Sequence, residues 1–227
     1  MKREIILTAD GSHSIAVSEL NVAYHSIHGA IQESIHVFIE AGLNHLPENS
    51  TSQQLNIFEM GFGTGLNAFL TAIESERLQR RIHYTAIDKF PISIAEAACL
   101  NYTDILEHNE LFQKIQTCNW NEEVELTQYF ILRKEKIDLL NFSADQRFNL
   151  IYYDAFAPVA QPELWTQEIF EKLFRMLQPN GILVTYCSKG DVRRAMIAAG
   201  FKVEKLKGPQ GKREMLRATK FHEDSVL

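Results

Sequence analysis

One segment, Glu59-Met60-Gly61-Phe62-Gly63-Thr64-Gly65-Leu66-Asn67, constrains the fold of this chain more than any other. It follows a short apolar run ending at Phe58 and precedes residues 68–78, where apolar side chains recur at helical spacing. Strand, glycine-rich turn and helix together make a nucleotide-binding arrangement, because glycines let the backbone turn sharply and come close to a ligand. Dinucleotide folds favour Gly-x-Gly-x-x-Gly with a pyrophosphate on the helix N-terminus. Here the spacing is Gly-x-Gly-x-Gly, and Glu59 stands two residues before the first glycine. A carboxylate there is unwelcoming to phosphate and suits a ligand with a cationic end, such as the methionine part of S-adenosylmethionine.

The remainder of the chain alternates strand and helix patterns. Strands are expected over 55–60, 82–88, 148–153, 182–187, 201–206 and 214–218, and helices over 66–78, 92–106, 162–176 and 190–199. Pro91 suits the start of the second helix, and Pro179-Asn180-Gly181 reads as a turn. Residues 128–132 and 136–140 read as paired strands around a charged turn, and Phe148–Tyr153 is a near-continuous apolar run, as in a central strand covered on both faces. The alternation implies an α/β fold: a mostly parallel sheet with helices on both faces, binding its ligand beyond the carboxyl ends of the strands. Residues 1–52 differ. A hairpin of 4–8 and 15–19 around Asp10-Gly11-Ser12, a helix through Ile31, Ile35, Phe38 and Ile39 closed by Gly42, and a polar loop over 47–54 read as an N-terminal extension packed on a core domain of residues 53–227.

An apolar content of 45% supports a sizeable core, and no run approaches the about 18 apolar residues that span a membrane. The start carries no secretory pattern. Cys99, Cys118 and Cys187 are far apart and form no Cys-x-x-Cys pair, so they read as small hydrophobes in a reducing cytoplasm, and the eight histidines lack ligand spacing, so no metal is expected. Net charge is −6, yet residues 189–217 hold nine basic and three acidic side chains, a local +6 against −12 elsewhere. Such a segment seats a phosphate backbone or is simply solvated surface.

Three acids fall at expected strand ends. Asp88 is placed to accept both ribose hydroxyls of a nucleoside, or to start the next helix. Asp138 is placed to accept the exocyclic amine of adenine, or to be a surface aspartate. Asp154 ends the apolar strand and precedes Ala155-Phe156-Ala157-Pro158. A carboxylate at the end of a buried strand costs several kcal/mol if unpaired, so it needs a partner: a cationic or hydrogen-bonding substrate, or a loop it anchors. Tyr24, Phe90, Phe156 and Trp165 are aromatic candidates for a pocket wall, Phe156 first because of its place beside Asp154.

The glycine segment, Asp88-Lys89-Phe90-Pro91, Asp154-Ala155-Phe156-Ala157-Pro158, Pro162-Glu163-Leu164-Trp165-Thr166, Phe170, Asp191-Val192-Arg193-Arg194, Ala199-Gly200-Phe201 and Lys212-Arg213-Glu214-Met215-Leu216 occur in that order. Upstream stands Tyr24-x-Ser26-x-x-Gly29-x-x-x-Glu33, then Phe38. From Tyr24 to Leu216 the chain resembles the methyltransferases that complete 5-methylaminomethyl-uridine at the tRNA wobble position, which exist as stand-alone (MnmD-like) enzymes and as the N-terminal half of bifunctional MnmC proteins. It looks like the stand-alone form. Asp88 departs from the glutamate often found there, an exchange a ribose contact tolerates. The resemblance implies a class I, Rossmann-like methyltransferase that uses S-adenosylmethionine to methylate the amine of 5-aminomethyl-uridine, with or without a 2-thio group, in the tRNA anticodon loop. Its cofactor set would be Glu59, Gly61, Phe62, Gly63, Thr64, Gly65, Asn67, Asp88, Lys89, Asp138 and Asp154. Asp154 would orient the amine and Phe156, with Tyr24 second, would stack on the splayed base. Tyr24, Ser26 and Glu33 would close over cofactor or base, and Arg193, Arg194, Lys212 and Arg213 would contact phosphates. A carboxylate of ordinary pKa is a poor base for an alkylammonium, so orientation is expected to contribute more than proton removal.

Two other readings share the fold. A spermidine-synthase-like aminopropyltransferase or other small-amine enzyme needs further acids for a polyamine, and the basic segment speaks against it. A non-catalytic relative would show an eroded glycine turn or a missing strand-end acid, and Glu59, Gly61, Gly63, Gly65, Asp88 and Asp154 are all in place.

Overall fold

A computed structural model describes residues 2–46, 54–144 and 146–221. The expected loop over 47–54 lies, but for Gln54, outside the described residues. The chain opens with β1 (Arg3–Leu7) and β2 (His13–Val17), paired antiparallel, and β3 (Val22–Ala23) joins β2 to complete a three-stranded sheet. The turn is held by the Asp10 carboxylate, which accepts the Ser12 N–H at 3.0 Å, a local bond that aspartate makes readily. Helix α1 (Ala30–Ser34) runs on into a π-helical segment, Ile35–Glu40, and buries Ile31, Val37, Phe38 and Ile39.

The main sheet begins at β4 (Gln54–Met60), followed by α2 (Leu66–Leu78), β5 (Arg81–Ile87), the short helices α3 (Ile94–Ala97) and α4 (Tyr102–Leu106), and α5 (Asn109–Thr117). Then come β6 (Glu123–Thr127), β7 (Phe130–Glu135), β8 (Phe148–Tyr153), α6 (Gln167–Met176), β9 (Leu177–Thr185), α7 (Gly190–Ala198), β10 (Lys202–Lys207) and β11 (Glu214–Thr219). Across the eight-stranded sheet the order is β10-β11-β9-β8-β4-β5-β7-β6. The inner strands β7, β5, β4, β8 and β9 run parallel, while β6, β11 and β10 pair antiparallel at the margins. Chain direction across the sheet reverses between β4 and β8, and the crevice at their carboxyl ends is where such sheets take ligands.

From Leu150 to Tyr153, past the slip in the ladder, side chains of β8 alternate between the two covered faces with the period of a strand. Leu150 and Tyr152 of β8 join the cluster under α1, α2 and α5, whereas Phe148, Ile151 and Tyr153 join the one under α6 and α7. Burial on both faces accounts for the apolar run in β8 and makes it a central parallel strand.

Four expectations are corrected. The single helix over 92–106 is two. Ser93 caps α3 through a reciprocal bond with Glu96, the helix ends at Ala97, and Asn101 bonds instead to the N-terminal hairpin, accepting from the His13 N–H at 2.7 Å and donating to the Gly11 carbonyl at 2.8 Å. The hairpin in 128–140 is displaced: the Thr127 hydroxyl accepts the N–H of Tyr129 at 3.2 Å and of Phe130 at 3.1 Å, so the turn lies at Gln128-Tyr129, β6 precedes it and 136–140 is not a strand. Pro179-Asn180-Gly181 lies inside β9, where the ladder with β8 slips between Phe148 and Leu150. Ahead of α6, Pro162–Trp165 forms a separate 3₁₀ turn, and Thr166 caps the helix by accepting the Ile169 N–H.

Candidate active site

The carboxyl ends of β4, β5 and β8 converge on the glycine turn. The N–H groups of Gly61 and Phe62 both donate to the Ile87 carbonyl at 3.1 Å, which ties the turn to the end of β5. Gly61 has φ of +92°, and a Cβ there would lie 2.8 Å from the Asp154 carbonyl oxygen. Gly63 has φ of +53°, and a Cβ there would lie 2.9 Å from the Tyr24 ring. Conformation and close approach thus both demand glycine at these two positions. Asp88 accepts the Gly63 N–H at 2.9 Å through one oxygen and the Phe90 N–H at 2.8 Å through the other. It starts no helix, since Ser93 caps α3, and it lines the cleft with burial pushing its carboxyl pKa up. The free lone pairs of its two oxygens suit a pair of ribose hydroxyls.

Below the turn lies a cluster of acids. Glu59 is fully buried, and the single amide nitrogen of Asn67 donates to Glu59 Oε1 at 3.0 Å and to Asp154 Oδ2 at 2.9 Å. Both amide hydrogens are therefore engaged. Glu59 Oε2 and Asn67 Oδ1 are buried without a hydrogen bond among the described residues, although the Tyr84 hydroxyl lies beside Glu59. Burial pushes the Glu59 pKa well up, and the nearby Asp154 charge adds to it. Asp154 is pushed up to about 7, by burial first and then by the Glu33 charge, against the Asn67 hydrogen bond and the Lys212 charge. An aspartate held this way accepts a cation or a proton near neutrality. The orphaned oxygens and the backbone cradle of Gly61 and Gly63 fit a sulfonium amino acid attached to a nucleoside.

The cleft above them measures about 260 Å³. Of the residues singled out from sequence, Tyr24, Gly61, Phe62, Gly63, Asn67, Asp88, Lys89, Phe90, Asp154 and Phe156 line it, whereas Glu59 lies buried and is not among the lining residues. Tyr24 and Phe156 meet edge to face, 5.1 Å between centroids at 79°. Trp165 stays outside the wall but donates its indole N–H to the Phe156 carbonyl at 2.8 Å. Thr64 faces away from the cleft: Tyr102 donates to its hydroxyl at 3.2 Å, and its carbonyl accepts from Gln116 at 2.9 Å. Gly65 serves as the start of α2.

Other expected residues sit elsewhere. Asp138 follows β7 by three residues, binds the Lys89 ammonium at 2.8 Å and is not among the lining residues. Glu33 is buried, accepts the Ser26 N–H at 2.8 Å and holds the Lys212 ammonium. Arg194 pairs with Asp191 on α7, and Arg213 is exposed. Arg193 also lies on α7, and none of these arginines lines the cleft.

The sequence reading missed His25 and Gln161, which line the cleft. His25 Nε2 lies 2.7 Å from the Thr64 hydroxyl, and burial drives its pKa down to about 4, so the ring is neutral. Since Tyr102 donates to Thr64, the threonine proton is left for His25. Its position between Tyr24 and Ser26 was the available signal. Gln161 accepts the Phe156 N–H at 3.0 Å and so fixes the loop after β8. Among the described residues, no group of three or more His, Cys, Asp or Glu side chains is placed to hold a metal, and no helix is long and apolar enough to cross a membrane.

The chain is 31% identical over 219 residues to the tRNA 5-methylaminomethyl-2-thiouridine biosynthesis bifunctional protein MnmC of Aeromonas hydrophila, a match covering 88% of this chain and 33% of that protein. It therefore spans about a third of the length of this curated relative. The crystal structure of MnmC2 from Aquifex aeolicus superposes with a TM-score of 0.78 at 24% identity, covering 96% of this chain and 70% of that one. The N-methyltransferase NodS from Bradyrhizobium japonicum WM9 shares the fold, with a TM-score of 0.50 at 15% identity over 85% of this chain and 94% of its own. A family model described as S-adenosyl-L-methionine-dependent methyltransferase matches residues 93–221, more than half of the sequence, and the chain belongs to that family.

Proposed function

We propose that the chain methylates the primary amine of 5-aminomethyl-uridine, with or without a 2-thio group, at the tRNA wobble position. The product is 5-methylaminomethyl-uridine. The observation that carries this reading is Asp154: a carboxylate in the floor of a cleft walled by Tyr24 and Phe156, beside the glycine turn, with its pKa pushed up to about 7. The biosynthetic role in the name of the Aeromonas protein, whose matched third this chain resembles, supports the same substrate. No observation favours the aminopropyltransferase alternative.

Asn67, held from behind by Glu59, would face the cationic end of the cofactor, the Gly61–Gly63 backbone its middle and Asp88 its ribose. When bound, S-adenosylmethionine supplies a methyl group activated by its sulfonium. The chain's own task is to present a nucleophile. An alkyl amine has a pKa of roughly 10 and arrives protonated, without a lone pair. Asp154 accepts a hydrogen bond from that ammonium, fixes its direction and takes its proton. Its raised pKa brings it about three units closer to the amine than an ordinary aspartate, so proton removal contributes more than the sequence led one to expect. Tyr24 and Phe156 supply flat apolar surface for a splayed base. The extension reaches the site through His25 against Thr64 and through Arg3, whose guanidinium donates to the Phe90 carbonyl, and in this reading its described residues, 2–46, cover the cleft.

The test is mass spectrometry of nucleosides from aminomethyl-bearing tRNA incubated with protein and cofactor. One added methyl on the side-chain nitrogen of the wobble uridine is expected. Unchanged nucleoside overturns the assignment.

A further inference from the structure

The Lys212 side chain is half-buried and its ammonium is engaged on two sides. It binds the buried Glu33 carboxylate and lies 3.9 Å from the centroid of the Tyr186 ring. Each partner reaches the cleft. Glu33 accepts the Ser26 N–H at 2.8 Å, two residues from Tyr24, whose ring packs on Phe156. Tyr186 donates its hydroxyl to the Ala155 carbonyl at 2.9 Å, the peptide next to Asp154.

The turn that carries Lys212 is fastened to α1 and its approach. Gln210 donates its N–H to the Gln32 side chain at 3.4 Å, and His36 donates to the Lys207 carbonyl at 2.8 Å. At Gly211, with φ of +83°, the His28 ring occupies the space a Cβ would need, 2.0 Å away. A single cation thus joins the N-terminal segment, the end of β9 and the β10–β11 turn at the back of the site.

We propose that the Glu33–Lys212 ion pair is a positioning device that sets Asp154 against the Tyr24–Phe156 wall, rather than a contact for tRNA phosphate. The inference rests on the amine-methylation reading above. A half-buried, doubly engaged ammonium is a poor phosphate ligand, because leaving Glu33 would strand a buried carboxylate. It is a good positioner, because both of its contacts end on backbone that carries residues of the site.

The experiment uses the whole chain with aminomethyl-bearing tRNA and compares Lys212→Met, Glu33→Gln, the double variant and Tyr186→Phe. Wild-type turnover comes first: if the wild type does not methylate this tRNA, the substrate reading fails and the pair is left to be judged by cofactor and tRNA binding. Each single charge variant should lower kcat about tenfold to a hundredfold, the scale of a misplaced reacting group. Cofactor and tRNA affinities should stay within about threefold, and the double variant should be no worse than the worse single one, as for residues acting as a unit. Opposite pH shifts separate positioning from general damage. Asp154 is faced by Glu33 from α1, Lys212 from the β10–β11 turn, Glu59 from β4, Tyr84 from β5 and Tyr186 after β9. Removing the lysine charge should raise the apparent pKa of the acid limb of kcat, and removing the glutamate charge should lower it.

Tyr186→Phe deletes only the bond to Ala155 and should lower kcat with thermal stability nearly kept, which guards against single variants that fold poorly. Unchanged kcat in the charge variants overturns the proposal. So does unchanged kcat accompanied by weaker tRNA binding and a shallower salt dependence for Lys212→Met, which would make the lysine a phosphate contact.

Discussion

At the scale of single residues, the proposed reaction centres on Asp154, whose raised pKa gives two predictions of opposite kind. As the group that takes a proton, it works deprotonated, so kcat/KM should climb through an acid limb near the value of about 7. Asp154→Asn keeps an acceptor for the Asn67 amide but cannot take the proton. Turnover should fall on the order of a hundredfold or more with cofactor binding largely retained, and the limb should vanish from the pH profile. A variant with unaltered turnover removes Asp154 from the mechanism. Stability should move the other way. Because the folded pKa lies above the ordinary aspartate value of 3.8, the folded state binds the proton more tightly. That contribution is present below the unfolded pKa and is lost as pH rises through about 7. Asp154→Asn should therefore melt higher than wild type near pH 8, with the gap closing toward about pH 5, in paired thermal unfolding runs. Equal shifts at both pH values would mean that the site does not hold Asp154 against its charge. The position of Asp154 at the end of an apolar strand was legible in the sequence. Its bridge to Glu59 through one Asn67 amide was not, because that contact depends on how α2 leaves the glycine turn.

At the scale of elements, the glycine turn is the least tolerant piece. Gly61→Ala forces a side chain onto positive φ and drives a methyl to 2.8 Å from the Asp154 carbonyl oxygen, which is backbone and cannot swing aside. A loss of about 1–3 kcal/mol in unfolding free energy is expected. Cofactor affinity should fall with it, because the displaced peptide belongs to the cleft. Equilibrium dialysis and denaturant unfolding would read the two effects, and full retention of both would show the turn to be slack. Elements of this kind were readable wherever pattern and local chemistry agreed. The helix Leu66–Leu78 and the strand Phe148–Tyr153 coincide with their expected bounds, since a helix after glycines and an apolar run between polar stretches admit few alternatives. The region from 92 to 141 misled for the opposite reason. Ser93 and Glu96 form a capping box, which marks a start and says nothing of length, while Asn101 is drawn off by the hairpin some ninety residues earlier in the chain. The β6–β7 turn hangs on one threonine hydroxyl, and a shift of a few residues there changes which side chains face the core.

At the scale of the whole molecule, the uneven charge is the feature that folding most transforms. Residues 189–217 carry a formal +6 on a chain of net −6, which the sequence shows directly. What the sequence hides is how much of that charge is answered internally. Arg217 pairs with Glu204, directly opposite it across β10 and β11, Lys205 pairs with Glu214, Arg194 with Asp191 and Lys212 with Glu33. Lys189, Lys202, Lys207 and Arg213 are exposed and form no ion pair among the described residues; Lys189 precedes α7 and Arg213 adjoins Lys212, and these two are the charges to test against a polyanion. A tRNA held through few phosphates should show a shallow dependence of log affinity on log salt, and each cation removed should reduce that slope by about one. Arg213→Glu and Lys189→Glu should each weaken binding of aminomethyl-bearing tRNA severalfold at low salt and flatten its slope, while turnover at saturating tRNA changes little. Arg217→Glu should act chiefly on stability, since its charge already meets Glu204 in the sheet. Anisotropy titrations at several salt concentrations distinguish these outcomes. If the Arg213 and Lys189 variants together leave the slope intact, tRNA approaches over another surface, and the acidic rest of the molecule must be steering the anticodon loop by shape and stacking at Tyr24 and Phe156 rather than by attraction to its backbone.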